Sequence, residues 1–569
     1  MPYRAPVRDY LFLLEHVADY AAIAATDLFA DASIDTAEAV LHEAARLSED
    51  VIAPLQRQGD LHPARLENGA VRTSPGFAGA YRAVAEGGWV GMAADPAHGG
   101  MGLPLSLATL VNEMMAGACL SFQLNPLMTQ GQIDALSLHA SDEIRAVYLP
   151  RLISGEWCGT MNLTEAQAGS DVGALATRAV PADDGSFRIT GEKIFITWGD
   201  NDFAENICHL VLARLPDAPE GTRGISLFLV PKRLPDAQGR AGVGNAVTVA
   251  GLEHKLGMHG SPTCTMRYDG ATGWMIGAPN KGMAAMFTMM NNARLGVGMQ
   301  AVGVAEAAQQ LAADYAGIRR QGRAGGTGTI AEHADVRRML LTMRAETQAA
   351  RAVAVMCAAA LDMHRATGNP DWAARAALLT PIAKAYGTET GMAVSDMGVQ
   401  VHGGMGYIEE TGATQFFRDV RVTAIYEGTN GIQAMDLVNR KLADGGEAAG
   451  RLLDDIEKGA EIARPQLPDL AREVWRAAEG LRETTEWLVA RNDPEDRNAG
   501  AAPYLRAFAR VLGAHAHLRC ALAAGAGSTP HALADFYIRR LLPEHAALLA
   551  HARAGREGLY LLDTADLVA

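Results

Sequence analysis

Residues 158 to about 278 carry strand patterns with no helical pattern between them, and helix-period runs stand on either side. No other feature narrows the fold as far. Phe187–Thr190 and Ile194–Thr197 flank Gly191 and read as a hairpin. Leu210–Leu215, Ile225–Val230 and Ala246–Val249 add short β-rich runs between Gly, Pro and Asp clusters. Parallel βαβ units need a helical run of about 10–15 residues between strands. None is present, so the middle of the chain is expected to form an antiparallel sheet or barrel.

Helical spacing appears before it, in Thr36–Leu47 and Leu105–Cys119, and after it, in Ala284–Tyr315, Ala334–Thr367 and Trp372–Val401. The later runs are rich in Ala, Met and Leu, a bundle composition. A glycine cluster at 445–450 reads as a linker, and helical spacing resumes in Val474–Leu488 and Tyr504–Leu522. The expected class is α+β. It comprises an N-terminal extension (1–35), an N-terminal helical domain (36–157), a middle β-barrel-like domain (158–278), a C-terminal helical bundle (279–444) and an extra C-terminal helical domain (445–569).

Charge and cysteine usage exclude several functions. A formal net charge of -15 disfavours nucleic acid as the main partner. The first residues lack the apolar core of a signal peptide, and no apolar run reads as membrane-spanning. Six scattered cysteines, none in a CxxC, fit reduced thiols and a cytoplasmic location. No metal-binding or P-loop pattern occurs.

Four segments carry candidate chemistry. Ala424-Ile425-Tyr426-Glu427-Gly428-Thr429-Asn430 sets one carboxylate among apolar and aromatic neighbours beside a glycine. Buried there, it would have a raised pKa and could act as a base on a weakly acidic carbon; the alternative is a loop glutamate. Leu163-Thr164-Glu165-Ala166-Gln167-Ala168-Gly169-Ser170-Asp171 offers hydroxyls and freed amides to a planar polar ring or a phosphate, or is a capped turn. Gln400-Val401-His402-Gly403-Gly404-Met405-Gly406-Tyr407 could bring amides to a ligand, or only end a helix. Asn291, Arg294 and Arg319 lie on or after a helix; either arginine could grip phosphate or be ion-paired.

Taken in order, these segments and Ile196-Thr197 resemble the acyl-CoA dehydrogenase family over most of residues 36–440. The resemblance implies FAD lying between the β-domain and the C-terminal helices. Met161, Leu163, Thr164, Gly169, Ser170, Phe195, Thr197 and Thr429 would hold it. Arg319, Gln400, Gly403 and Gly404 would reach the FAD of a neighbouring subunit. Ser170, Asn291, Arg294 and Gly428 would bind the acyl-CoA. Glu427 would remove the α-proton of the thioester while the β-hydrogen leaves as hydride to the flavin. Some relatives carry the base immediately before the arginine matching Arg294; here that position is Ala293.

Departures from the family pattern are Phe195 for a common Trp, Gly322 for a Phe, Ala334 for a Gln, and Gly431 for a flavin-contacting Gln. They bear on the adenine half of the cofactor site more than on the ring half.

The length of the chain resembles a larger subgroup that includes 3-(methylthio)propanoyl-CoA dehydrogenases of dimethylsulfoniopropionate breakdown. The opening Pro2-Tyr3-Arg4-Ala5-Pro6-Val7-Arg8-Asp9, the Glu253–Ser261 loop and Tyr426–Gln433 carry that likeness. It implies oxidation of 3-(methylthio)propanoyl-CoA to 3-(methylthio)acryloyl-CoA, with another short- or medium-chain or an aryl-propanoyl-CoA as the alternative.

A homodimer or homotetramer, and electron-transfer flavoprotein as electron acceptor, are further implications. Direct use of oxygen and a flavin scaffold without catalysis are competing readings. A DNA-binding relative is another, but residues 446–569 hold 15 Lys and Arg against 18 Asp and Glu, so that segment is slightly acidic.

Overall fold

The computed structural model describes residues 3–323 and 325–569; Met1 and Pro2, the start of the opening segment above, and Ala324 lie outside them. The chain divides into two compact units. One comprises Glu43–Leu103 and Met114–Ala293, the other Met1–His42, Pro104–Glu113 and Arg294–Ala569.

The first unit is built on a seven-stranded sheet. Its order runs Val247–Leu252, Thr263–Ile276, Phe187–Thr197, Arg178–Pro181, Asn206–Arg214, Trp157–Asn162. Ile225–Pro231 pairs with both Thr263–Ile276 and Asn206–Arg214, which closes five strands into a ring. Ile189, Ile196, Val211, Phe228, Val230 and Met266 fill the core.

Two expectations are corrected here. The sheet is mixed, because Trp157–Asn162 runs parallel to Asn206–Arg214. Gly191 is not a hairpin turn; Phe187–Thr197 is one continuous strand. A Cβ at Gly191 would lie 2.4 Å from Thr177 Oγ1, so glycine serves close approach inside the sheet, not reversal.

The second unit is helical. Ala334–Thr367 and Pro370–His402 form an antiparallel pair, and helix Gly282–Ile318 enters this unit at Arg294. Glycine sets how closely these helices meet. A Cβ at Gly298 would lie 2.7 Å from the Ala383 carbonyl oxygen, and one at Gly387 would lie 2.5 Å from that of Gly298. The two helices therefore pack backbone to backbone. Arg294 and Lys384 stand one turn before these contacts and are brought to the same place.

Within the N-terminal extension, Val7–His16 forms a helix. Tyr10 packs its ring 5.1 Å from the Arg351 guanidinium, which is also paired to Glu113 at 2.6 Å and Glu306 at 2.7 Å. The 445–450 glycine cluster is not a linker throughout: helix Glu447–Ala463 begins inside it, and with Pro468–Val489 and Pro494–Ala524 it completes the unit.

Helix Leu105–His139 corrects a third expectation. It is long and apolar enough to cross a membrane, yet 94% of its apolar window is buried inside the protein. Its apolarity is spent on packing.

Candidate active site

In the helical unit, the site is a turn held on three sides. The N–H groups of Ile425 and Tyr426 donate to the Val422 carbonyl at 2.8 and 3.1 Å. Tyr426 donates its hydroxyl to Gln300 Oε1 at 2.7 Å, fixing the turn to helix Gly282–Ile318. Thr429 caps helix Asn430–Asp436 by accepting the Ile432 N–H. Gln433, fully buried, donates to the carbonyls of Glu427 and Gly428 at 3.2 and 3.3 Å.

These restraints force Glu427 to φ +55 and Gly428 to φ +84. A glutamate in the left-handed region costs about 1–2 kcal/mol, and such strain clusters at functional sites. The twist leaves Glu427 partly exposed with both its carboxyl and its N–H unengaged by hydrogen bonds among the described residues. Desolvation pushes its carboxyl up to about 7, against the opposing pull of Arg294 and Lys384. A carboxyl so placed can exchange a proton near neutral pH.

Arg294 is buried, donates to Asp436 Oδ2 at 3.2 Å, and shares that carboxylate with Arg440. Lys384 is 0% exposed. Sequence reasoning missed it, because a lone lysine in an alanine-rich helix reads as a solvated residue. Ala293, the residue before Arg294, is buried and carries no base. Asn291, on the same helix, is exposed.

In the β-unit, Thr164, Phe195 and Thr197 are assembled by one buried ion pair. Lys193 Nζ donates to Glu165 Oε1 at 2.8 Å and to the Leu163 carbonyl at 2.9 Å. Glu165 also accepts from the Thr177 hydroxyl at 2.6 Å and the Ala176 N–H at 2.7 Å. Burial alone would push Glu165 up, but Lys193, Thr177 and Ala176 outweigh it and hold the carboxyl at about 2. The Ile194 N–H donates to the Thr164 carbonyl at 3.0 Å, joining loop to strand.

The strand then turns its aromatic residue outward. Phe195 has φ +59 and is 58% exposed, an uneconomical place for a bare phenyl ring unless something planar covers it. The hydroxyls of Thr164, Thr197 and Ser170 have no protein partner among the described residues. A Cβ on Gly169 would meet nothing within 4 Å. Met161 and Leu163 are half-buried alongside. An exposed ring beside unused hydroxyls and open backbone suits a flat, polar-edged cofactor. Arg319, Gln400, Gly403 and Gly404 belong to the other unit and are all exposed, with open space where a Cβ on Gly403 or Gly404 would stand.

Comparison with known proteins identifies the family. Residues 35–156, 160–271 and 280–442 match the N-terminal, middle and C-terminal domains of acyl-CoA dehydrogenases. Residues 452–563 match an acetyl-CoA dehydrogenase C-terminal-like domain. A Ruegeria pomeroyi 3-methylmercaptopropionyl-CoA dehydrogenase is 45% identical over 523 residues, 89% of this chain and 88% of that one. A butyryl-CoA dehydrogenase of Syntrophomonas wolfei is 37% identical over 77% of this chain and 75% of its own. Among solved structures, Caenorhabditis elegans ACDH-11 in complex with C11-CoA superposes with a TM-score of 0.80 at 22% identity, covering 99% of this chain and 96% of that one. The chain belongs to the acyl-CoA dehydrogenase family and is an FAD-dependent oxidoreductase of acyl-CoA thioesters.

Proposed function

We propose that this enzyme oxidises 3-(methylthio)propanoyl-CoA to 3-(methylthio)acryloyl-CoA with Glu427 as its base. The base assignment is carried by one observation: a glutamate at positive φ, its carboxyl lifted to about 7, with no hydrogen-bond partner among the described residues. The choice of acyl group is supported by the 45% identity to the Ruegeria pomeroyi enzyme.

The residues present fit FAD, through the exposed Phe195 ring and the unused hydroxyls beside it. Met161, Leu163, Thr164, Gly169, Ser170, Phe195, Thr197 and Thr429 hold it, with Arg319, Gln400, Gly403 and Gly404 serving the cofactor of a second subunit. Bound FAD supplies the two-electron acceptor for the hydrogen leaving Cβ. Glu427 takes the α-proton. Its free N–H donates to the thioester oxygen as negative charge gathers there, an effect of about 3–4 kcal/mol for a well-placed donor. Ser170, Asn291, Arg294 and Gly428 hold the acyl-CoA. Excluding water around Glu427 strengthens it as a base at the moment of transfer.

Electrons pass on to electron-transfer flavoprotein, the enzyme works as a homodimer or homotetramer, and six buried free thiols suit the cytoplasm. Anaerobic bleaching of the flavin across a panel of acyl-CoAs tests substrate and reaction class together. The methylthio compound should bleach fastest. Faster bleaching by butyryl-CoA or an aryl-propanoyl-CoA would reassign the substrate and leave the reaction class intact.

The raised carboxyl also dictates pH dependence. Only ionised Glu427 is a base, so kcat/KM should climb about tenfold per pH unit at acid pH and level off above about 7. An inflection between 4 and 5 would mean that the carboxyl is not desolvated in the free enzyme.

A further inference from the structure

We propose that Lys384 is a positioning residue for the dehydrogenation: its buried ammonium, anchored on Asn430, fixes the turn that carries Glu427 and sets the proton affinity of that carboxylate. The proposal rests on Glu427 being the base.

Lys384 is wholly buried between Ala383 and Ala385 on helix Pro370–His402. Its Nζ donates to Asn430 Oδ1 at 3.1 Å. Thr388, one turn further on, donates its hydroxyl to the same oxygen at 3.1 Å. Two donors from one rigid helix thus hold a side chain three residues beyond Glu427, at the first position of helix Asn430–Asp436. Glu389, half-buried on the same helix, is a further carboxylate facing Lys384, and itself faces Arg506 and Arg510 of helix Pro494–Ala524.

Packing does not account for a lysine here. A buried ammonium whose bonded partner is a neutral amide costs several kcal/mol, and methionine would fill the space without that cost. The charge is explained by what it faces. Glu427 is faced by Arg294 from helix Gly282–Ile318, by Lys384 from helix Pro370–His402 and by Tyr426 on its own turn. Lys384 in turn faces Glu427, Arg294 and Glu389. Burial draws Lys384 down to about 8 while lifting Glu427 to about 7; Glu427 opposes that fall at Lys384, and Arg294 first and Lys384 second oppose the rise at Glu427.

Three substitutions separate charge from anchorage in the full-length holoenzyme. Lys384→Gln keeps an N–H donor on a shorter side chain and removes the charge, Lys384→Met removes both donor and charge, and Lys384→Arg keeps the charge. Two readouts follow Glu427: the acid limb of kcat/KM, and its carboxyl band in infrared difference spectra taken against the Glu427→Gln protein. In the Gln and Met variants both should move upward by about one pH unit. The Arg variant should return towards the native value. At high pH, kcat should fall about tenfold in Lys384→Met and less in Lys384→Gln, which retains an N–H donor. A titration unmoved in both Gln and Met variants overturns the proposal; if the Met variant does not fold, the Gln variant decides alone. Near-native turnover by Glu427→Gln would instead remove the base assignment itself.

Discussion

Glu427→Gln should keep its bound FAD and lose about a thousandfold in kcat/KM, the size of effect expected when a positioned general base is removed. Glutamine preserves the volume and backbone preference of the native residue. It also spares Tyr426, Thr429 and Gln433, which shape the turn. The flavin absorbance spectrum measures retention of the cofactor, and turnover with an artificial electron acceptor measures the loss. Ala293 is the alternative position for a base and has nothing to offer, so no second carboxylate should rescue the variant. Activity within tenfold of native would take Glu427 out of the mechanism.

Lys193→Met should be the most destabilising change at the cofactor loop. It leaves the Glu165 carboxylate, 5% exposed, without the cation it is paired to. Breaking a buried pair from one side costs about 3–5 kcal/mol, a large share of the 5–15 kcal/mol that stabilises a typical domain. The expected result is a lower midpoint of thermal unfolding at neutral pH and a reduced ratio of flavin to protein. Because Glu165 is held at about 2, well below an ordinary glutamate, its contribution in the native protein is fully present above about pH 4.5. It is lost as pH falls towards 2. Acidification should therefore narrow the gap between native and variant. Glu165→Gln combined with Lys193→Met should recover part of the loss. A single variant with native unfolding and native flavin content would show that the pair does not hold the loop.

Much of the architecture is written in local pattern. Helix Ala334–Thr367 begins and ends where its apolar period does, and Pro370–His402 extends its own by only two residues at one end and one at the other. Glu427 was conspicuous because its neighbours are apolar and its follower is glycine. Gly191 misled because glycine between β-rich runs signals a turn, whereas its partner in the fold is Thr177, fourteen residues away in the chain. Helix Leu105–His139 was not legible as one long apolar run, and even its full length would not tell protein interior from membrane, because the two differ in surroundings, not composition. The ion pair of Glu165 with Lys193 and the placement of Lys384 against Asn430 depend on contacts between distant segments. No residue spacing announces them.

The left-handed backbone at Glu427 has a consequence for how this position tolerates change. Glycine, asparagine and aspartate enter that region more easily than glutamate. Replacing Glu427 by any of them would relieve strain, and each either discards the carboxyl group or withdraws it by one methylene. Selection for a sturdier protein and selection for turnover therefore pull this codon in opposite directions. A variant found here that melts higher and works worse would be the signature of that conflict, and a library selected only for thermal survival should lose its glutamate at this position early.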